Sequence, residues 1–402
     1  MAARANLVVG QSGGPTAVIN NSLIGVVHQA LQLEQIDGVY GMLHGIRGVL
    51  DQEFVDLRRE SAQTLERLCA TPGSALGTVR YKVSPEDYDR LLDVFVKYDI
   101  RYFLYIGGND SMDTVYQISQ VAKRRGFDLH AIGVPKTIDN DLAQTDHSPG
   151  FGSAARFVAS AIRNSGYDTE SMGPDGPIKL MEIMGRNAGW LTAAAALAQD
   201  SAYDPPHLIY LPERGVSPDR IASDVEAVYR KYSYCVVAVS EGIVDVDGTP
   251  YASAAGRTMV DAFGHEVKQG VVEAVAEIIL DKLGIRARFD KPSYLQRSFV
   301  ELASPVDQAE AYRAGQEGVR AAVGGASGQM VSFVREPGDE YAIRYELADL
   351  SQIANQEKVI PDAYINAEGN GVTRAFIEYA RPLIGGPLPD LARLAKHPIA
   401  KR

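Results

Sequence analysis

Short apolar runs separated by longer mixed stretches set the pattern of this chain. LVVG (7–10) reads as a strand, and QSGGPTAVIN after it leads through a turn into a helix near 16–33. Phe103 to Ile106 and Ala131 to Val134 are two more strand-like runs, each stopped by Gly or Pro. A polar loop comes after the second, and the pattern predicts a helix near 152–164. KLMEIM (179–184) predicts a strand, and the Ala-rich NAGWLTAAAALA behind it a helix. HLIYLP (207–212) and CVVAVSEG (235–242) add two strands. The stretch between residues 165 and 177 is rich in turn formers and poor in apolar residues, which predicts an exposed loop. EPGDEY (336–341) reads as a surface turn and the tail KHPIAKR as a solvated end. No internal repeat stands out. Strands alternating with helices argue for an α/β architecture with a largely parallel sheet.

Length and composition narrow this picture. A chain of 402 residues is long enough for two domains, and 46% apolar with 23% charged residues is ordinary for globular proteins. The net charge of −11 argues against a general nucleic-acid binder, because no basic surplus exists to neutralise a phosphate backbone. Small phosphorylated ligands need only a local cluster of cations, so they stay open. Of the two cysteines, Cys69 and Cys235, the second lies in an apolar run and is expected to be a buried, reduced thiol. No uninterrupted apolar run approaches 18 residues, and the N-terminus passes almost directly into the first strand. A soluble cytoplasmic protein without membrane partners is the expectation.

The chemistry concentrates in YFLYIGGNDS (102–111) and AIGVPKTIDND (131–141). The polar residues after each strand lie at its carboxyl end, where open α/β sheets bind ligands. Gly107 and Gly108 let the backbone approach a phosphate, and a helix starting near Ser111 aims its free N–H groups at the same anion. In an extended TIDND segment Asp139 and Asp141 point to one side, giving one carboxylate for a proton and another for Mg²⁺. The chain has neither GxxxxGK[ST] nor GxGxxG, so the common NTPase and dinucleotide readings lose their main support. QSGGP (11–15) offers a strand, two glycines and a helix instead, a weak signal alone.

Taken in order, QSGGPTAVIN, LGTVRY (76–81), IGGNDS, PKTIDND, MGRNAGW (184–190), SEG (240–242) and YLQR (294–297) resemble the phosphofructokinase family, over roughly residues 5–335. The resemblance implies two Rossmann-like, three-layer domains with largely parallel sheets and an active site in the cleft between them. The larger would comprise 1–150 plus 296–345, with the donor-phosphate and metal site, and the smaller 151–295 plus 346–402, with the sugar-phosphate site. Within the family the chain looks like the pyrophosphate-dependent branch. That implies reversible, Mg²⁺-dependent phosphoryl transfer from pyrophosphate to the 1-hydroxyl of fructose 6-phosphate, giving fructose 1,6-bisphosphate and phosphate. The alternatives are an ATP-dependent relative and a noncatalytic regulatory subunit of the same fold.

Carried over by position, the resemblance makes Asp139 the base for the sugar hydroxyl and Thr137 a holder of the same end of the sugar. Asn109 matches a position tied to the metal. An amide is a weaker ligand than a carboxylate, so Asp110 or Asp141 shares that role. Gly13, Gly14 and Gly108 would offer backbone N–H groups to the donor, with Arg80 and Lys136 on the transferring phosphoryl group. Met184, Gly185, Arg186 and Glu241 would meet the sugar phosphate, as would Arg288, Tyr294 and Arg297, with two arginines converging on the 6-phosphate. The Arg288 position reaches a neighbouring subunit in related bacterial enzymes, which implies a homodimer or homotetramer; Pro177 stands where ATP-using relatives carry another inter-subunit arginine. Ile24 and His28 occupy effector-arginine positions of regulated relatives, so control by ADP or phosphoenolpyruvate is expected to be weak or absent. ATP users generally carry Gly at the positions of Asp110 and Lys136. Asp110 should obstruct a nucleotide's α-phosphate by bulk and charge, and Lys136 should supply charge that the smaller donor lacks.

Overall fold

The computed structural model describes residues 4–79, 81–251, 259–260, 266–267, 270–338, 340–354 and 356–400. Its strands are β1 (Ala5–Gln11), β2 (Ile36–Met42), β3 (Phe54–Asp56), β4 (Ile100–Gly107), β5 (His130–Pro135), β6 (Ile178–Ile183), β7 (Leu208–Tyr210), β8 (Cys235–Ser240), β9 (Met259–Val260), β10 (Glu266–Val267), β11 (Ala287–Asp290), β12 (Gln329–Arg335) and β13 (Ile343–Asp349). Seven of them form one sheet in the order β13-β12-β5-β4-β1-β2-β3, four form a second in the order β11-β6-β8-β7, and β9 pairs with β10. The central pairs of the large sheet are parallel and its two edge pairs antiparallel, while the small sheet is parallel throughout.

Both sheets are covered on two faces, and the period of two along each strand shows how. Leu7, Val9, Leu104, Ile106, Ile132 and Val134 pack under helices Ile19–Ala30 and Pro305–Val323. Their neighbours Val8, Phe103, Tyr105 and Ala131 face helices Pro85–Lys97 and Asn109–Arg124. In the small sheet Met181, Ile183, Val236 and Ala238 face helix Phe151–Met172 and the Ala-rich segment, while Leu180, Val237 and Val239 face helices Pro218–Tyr232 and Val271–Leu283. Strands buried on both faces must be apolar at nearly every position, which is why these runs stand out as continuous blocks. Cys235 is buried and free, and burial pushes its thiol pKa upward. Strand β13 runs on to Asp349, and Leu350 and Ile353 pack with the large sheet before the chain crosses to the small one. No helix among the described residues is long and apolar enough to cross a membrane.

Two expected elements differ. The expected loop between 165 and 177 is helix as far as Met172, continued by a 3₁₀ turn at Gly173–Asp175. Its polar residues are satisfied by tertiary partners: Ser165 bonds Asp290 at 2.6 Å, Tyr203 donates to Glu170 at 3.0 Å, and Thr169 is fully buried. Gly166 lets Pro205 approach so closely that an added Cβ would lie 2.2 Å from its Cγ. The Ala-rich segment is helical but not a single α-helix, passing from α (Trp190–Ala193) to 3₁₀ (Ala194–Ala198). All nine residues are buried, so packing overrides the helix propensity of alanine.

Candidate active site

Strand β1 is flanked by β4 on one side and β2 on the other, so the order of the large sheet reverses there. Such switch points open a crevice at the carboxyl ends of the strands. Here β1, β4 and β5 end level, with Gln11 opposite Ile106 and Gly107 opposite Pro135. Three loops therefore meet: Ser12 to Pro15, Gly108 with the start of helix Asn109–Arg124, and Lys136 to Asp141. Backbone bonds stitch them together, Ser12 N–H to the Ile106 carbonyl at 2.9 Å and Lys136 N–H to the Gly107 carbonyl at 3.0 Å. Gly13 and Gly14 come after β1 as expected, and the Thr78 hydroxyl donates to the Gly13 carbonyl at 2.8 Å. Arg80 lies outside the described residues.

Lys136 is only 4% exposed, so it is no solvent-facing loop lysine. Its Nζ donates to the Gly14 carbonyl at 2.7 Å, and burial with the nearby Arg297 guanidinium pulls its pKa down to about 8 against the pull of Asp139 and Asp141. Thr137 is buried and its hydroxyl accepts the Asp139 N–H at 3.1 Å. Burial first, then the Asp141 and Glu241 carboxylates, push the Asp139 carboxyl up to about 7, against the opposing charges of Lys136 and Arg186. The segment is not an extended strand, contrary to expectation: Ile138 and Asp139 form a bend, and Asn140 has a φ of 55°. Its side chain fixes that conformation by accepting the Ser148 N–H at 3.0 Å and donating to the Tyr379 hydroxyl at 2.8 Å. Asp139 and Asp141 still lie close enough to interact, through the bend rather than through strand alternation.

Asn109 sits beside them, its amide donating to Asp141 Oδ2 at 3.2 Å. Asn109 Oδ1, Asp139 Oδ1 and Asp141 Oδ1 are buried without a hydrogen-bond partner. Three orphaned oxygens in one loop cluster are costly unless a cation or ligand satisfies them, and hard oxygen donors suit a divalent cation. Two carboxylates and an amide form the set; no group of three or more His, Cys, Asp or Glu able to hold a metal occurs among the described residues. Asp110 is exposed in the first turn of its helix.

From the small sheet, Met184 to Arg186 come after β6 and Glu241 after β8, paired strands that end together at Ile183 and Ser240. The Met184 N–H donates to Gln296 Oε1 at 3.1 Å, the Ser240 hydroxyl to the Gly185 carbonyl at 2.7 Å, and the Gly185 N–H to Glu241 at 3.4 Å. Arg186 and Glu241 both act on the ionisation of Asp139, so the loops of the two sheets face each other across the cleft. Arg297 reaches across too: a Cβ on Gly14 would lie 2.2 Å from its Nη1, and its guanidinium sits 4.4 Å from the Tyr294 ring centre. Arg288 has other surroundings, Asp168 at 3.6 Å and Gly176, and its Nε and Nη2 are buried without hydrogen bonds. Within one chain, then, Arg297 belongs to the cleft and Arg288 faces elsewhere. Sequence leaves Gln296 unassigned although it stands inside the YLQR motif; Lys358 and Tyr379, which bond to the loop after β5, carry no local signal in sequence. Ile24 is buried, and His28 is partly buried against Tyr312 at 3.0 Å rather than free on the helix surface.

A family model described as Phosphofructokinase matches residues 6–322. The chain belongs to the phosphofructokinase family. It is 42% identical to the pyrophosphate--fructose 6-phosphate 1-phosphotransferase of Rhodospirillum rubrum, over 99% of this chain and 98% of that one. Among solved structures, the pyrophosphate-dependent phosphofructokinase of Marinobacter aquaeolei superposes with a TM-score of 0.86 at 38% identity, covering 99% of this chain and 98% of the other. That of Nitrosospira multiformis gives 0.87 at 36% identity, over 100% and 99%. These near-complete superpositions take in both α/β sheets of the chain.

Proposed function

We infer that this chain catalyses reversible phosphoryl transfer from pyrophosphate to the 1-hydroxyl of fructose 6-phosphate, giving fructose 1,6-bisphosphate and phosphate. The observation that carries the reading is the loop after β5, where buried Lys136 reaches the Gly14 carbonyl and lies near enough to Asp139 for each to act on the other's ionisation. Asp139 takes the proton of the 1-hydroxyl as that oxygen bonds to the near phosphorus of pyrophosphate. The bridging P–O bond breaks and phosphate leaves. A carboxyl with its pKa near neutrality is matched to this task. Thr137 orients Asp139 through its amide, and Lys136 with Arg80 stabilises the charge spread over the transferring oxygens. Asn109, Asp110 and Asp141 would hold Mg²⁺, which neutralises donor charge when bound. Gly13, Gly14 and Gly108 present backbone N–H groups to the donor.

Met184, Gly185, Arg186, Glu241, Tyr294 and Arg297 bind the sugar phosphate, and Arg288 does so in a neighbouring subunit. Exposure of Phe289 (41%), Tyr294 (61%) and Leu295 (54%) supports a homo-oligomer that covers this segment. Ile24 and His28 at the effector-arginine positions support an enzyme without control by ADP or phosphoenolpyruvate. The test is to incubate the purified chain alone with pyrophosphate, fructose 6-phosphate and Mg²⁺, measuring phosphate and fructose 1,6-bisphosphate in both directions. Equal amounts of the two products, lost on chelation, are expected; no turnover in either direction would contradict the reading.

A further inference from the structure

The catalytic loop continues past Asp141 to His147, and a segment from beyond the family-model match holds both of its ends. The Lys358 backbone N–H donates to the Asp141 carbonyl at 2.7 Å, while its Nζ donates to the carbonyls of Thr145 at 3.1 Å and Asp146 at 2.9 Å. One residue thus spans the turn. Tyr379 adds a second tie, donating its hydroxyl to the Asp146 carbonyl at 2.8 Å while accepting from Asn140. Lys358 is itself fixed to the small sheet's core. Its carbonyl accepts the Trp190 indole N–H at 2.9 Å, and its ammonium lies 5.0 Å from the centre of that ring. On the other side the loop is tied to β12, by the Asp146 N–H to the Phe333 carbonyl at 2.8 Å and by the Ser332 hydroxyl to Gln144.

We propose that Lys358 is a positioning residue for phosphoryl transfer, clamping residues 141–146 so that Asp139 and Asp141 keep their aim into the cleft. In this assignment Lys358 acts through the loop, by its bonds to the Asp141, Thr145 and Asp146 carbonyls. A cation closing the carbonyls of a single turn fixes loop shape more tightly than neutral bonds would. Displacement of reacting groups by about 1 Å can cost on the order of 100-fold in rate. The assignment rests on the phosphotransferase reading of the cleft.

The experiment compares wild type with Lys358→Met, Lys358→Arg and Tyr379→Phe, by steady-state kinetics and by amide hydrogen exchange of the unliganded proteins. Lys358→Met should lower kcat by about tenfold or more and leave both KM values within about twofold, because geometry rather than ground-state binding is lost. Exchange should quicken by about fivefold or more at 141–146 with little change elsewhere. Lys358→Arg should recover most of the rate, and Tyr379→Phe should shift kcat in the same direction as Lys358→Met. The proposal is overturned if Lys358→Met keeps the wild-type kcat, if the loss falls on KM alone, or if exchange quickens evenly along the chain. Should Lys358→Met not fold, wild-type kinetics and loop exchange in Tyr379→Phe overturn it equally. An inactive wild type would instead sink the phosphotransferase reading, so the two failures are distinguishable.

Discussion

Asp139 and Lys136 illustrate how burial gives ordinary side chains unusual tasks. Each would be charged at neutral pH in water, and each is driven towards its neutral form by the same dry cleft, Asp139 upward and Lys136 downward. Asp139→Asn keeps the shape and removes the basicity. Its kcat should fall by about 100-fold or more while fructose 6-phosphate affinity, measured by calorimetry, stays near wild type. More than about a tenth of the wild-type rate would remove Asp139 from the role of base. Lys136→Ala should also lose kcat strongly, measured against pyrophosphate, because the lost charge acts on the transferring group. The residue types of this site are legible in TIDND and GGNDS. Their geometry is not, since the bend at Asn140 depends on Ser148 and Tyr379, the latter 239 residues away in the chain.

At the scale of elements, strand runs are the clearest signal, because two covered faces demand apolar residues at nearly every position of β4, β5 and β8. Helix Phe151–Met172 reads short in the sequence, since Ser165, Thr169 and Glu170 look like loop residues until their partners are known. The start of β7 offers a separate test. His207 Nε2 donates to the Tyr203 carbonyl at 3.2 Å and its Nδ1 accepts the Val236 N–H at 3.0 Å, so the ring is neutral and a second proton would break the latter bond. Burial accordingly pulls its pKa down to about 4. An unfolded histidine titrates near about 6.5, so the unfolded chain binds more protons between these values. The stability contributed by neutral His207 is fully present above the upper value and is lost as pH falls through the window, on the order of 3 kcal/mol in all. Urea unfolding at several pH values should show this loss, and His207→Asn should flatten it; an unchanged slope in the variant would assign the effect to other groups.

On the scale of the whole molecule, the chain brings two sheets together so that Asp139 of one meets Arg186 and Glu241 of the other. Arg297 completes that cleft, whereas Arg288, with two buried nitrogens lacking hydrogen-bond partners, stands apart. The resemblance already implies that Arg288 reaches a neighbouring subunit, and within one chain only Arg297 of the two lies at the cleft. Arg288→Ala should raise the fructose 6-phosphate KM by about tenfold without changing kcat if its guanidinium serves a neighbour's site. Sedimentation of the wild type should accordingly show a dimer or tetramer; a monomer with full activity would contradict the shared site. Donor choice is the central claim, resting on Asp110 at the first turn of its helix and on Lys136 behind the Gly13–Gly14 turn. The most direct measurement is the ratio of kcat/KM for pyrophosphate to that for ATP, with saturating fructose 6-phosphate and Mg²⁺. The account predicts a ratio of at least about 100, equivalent to roughly 2.7 kcal/mol of discrimination, falling in Asp110→Gly. A wild-type ratio at or below unity would contradict it.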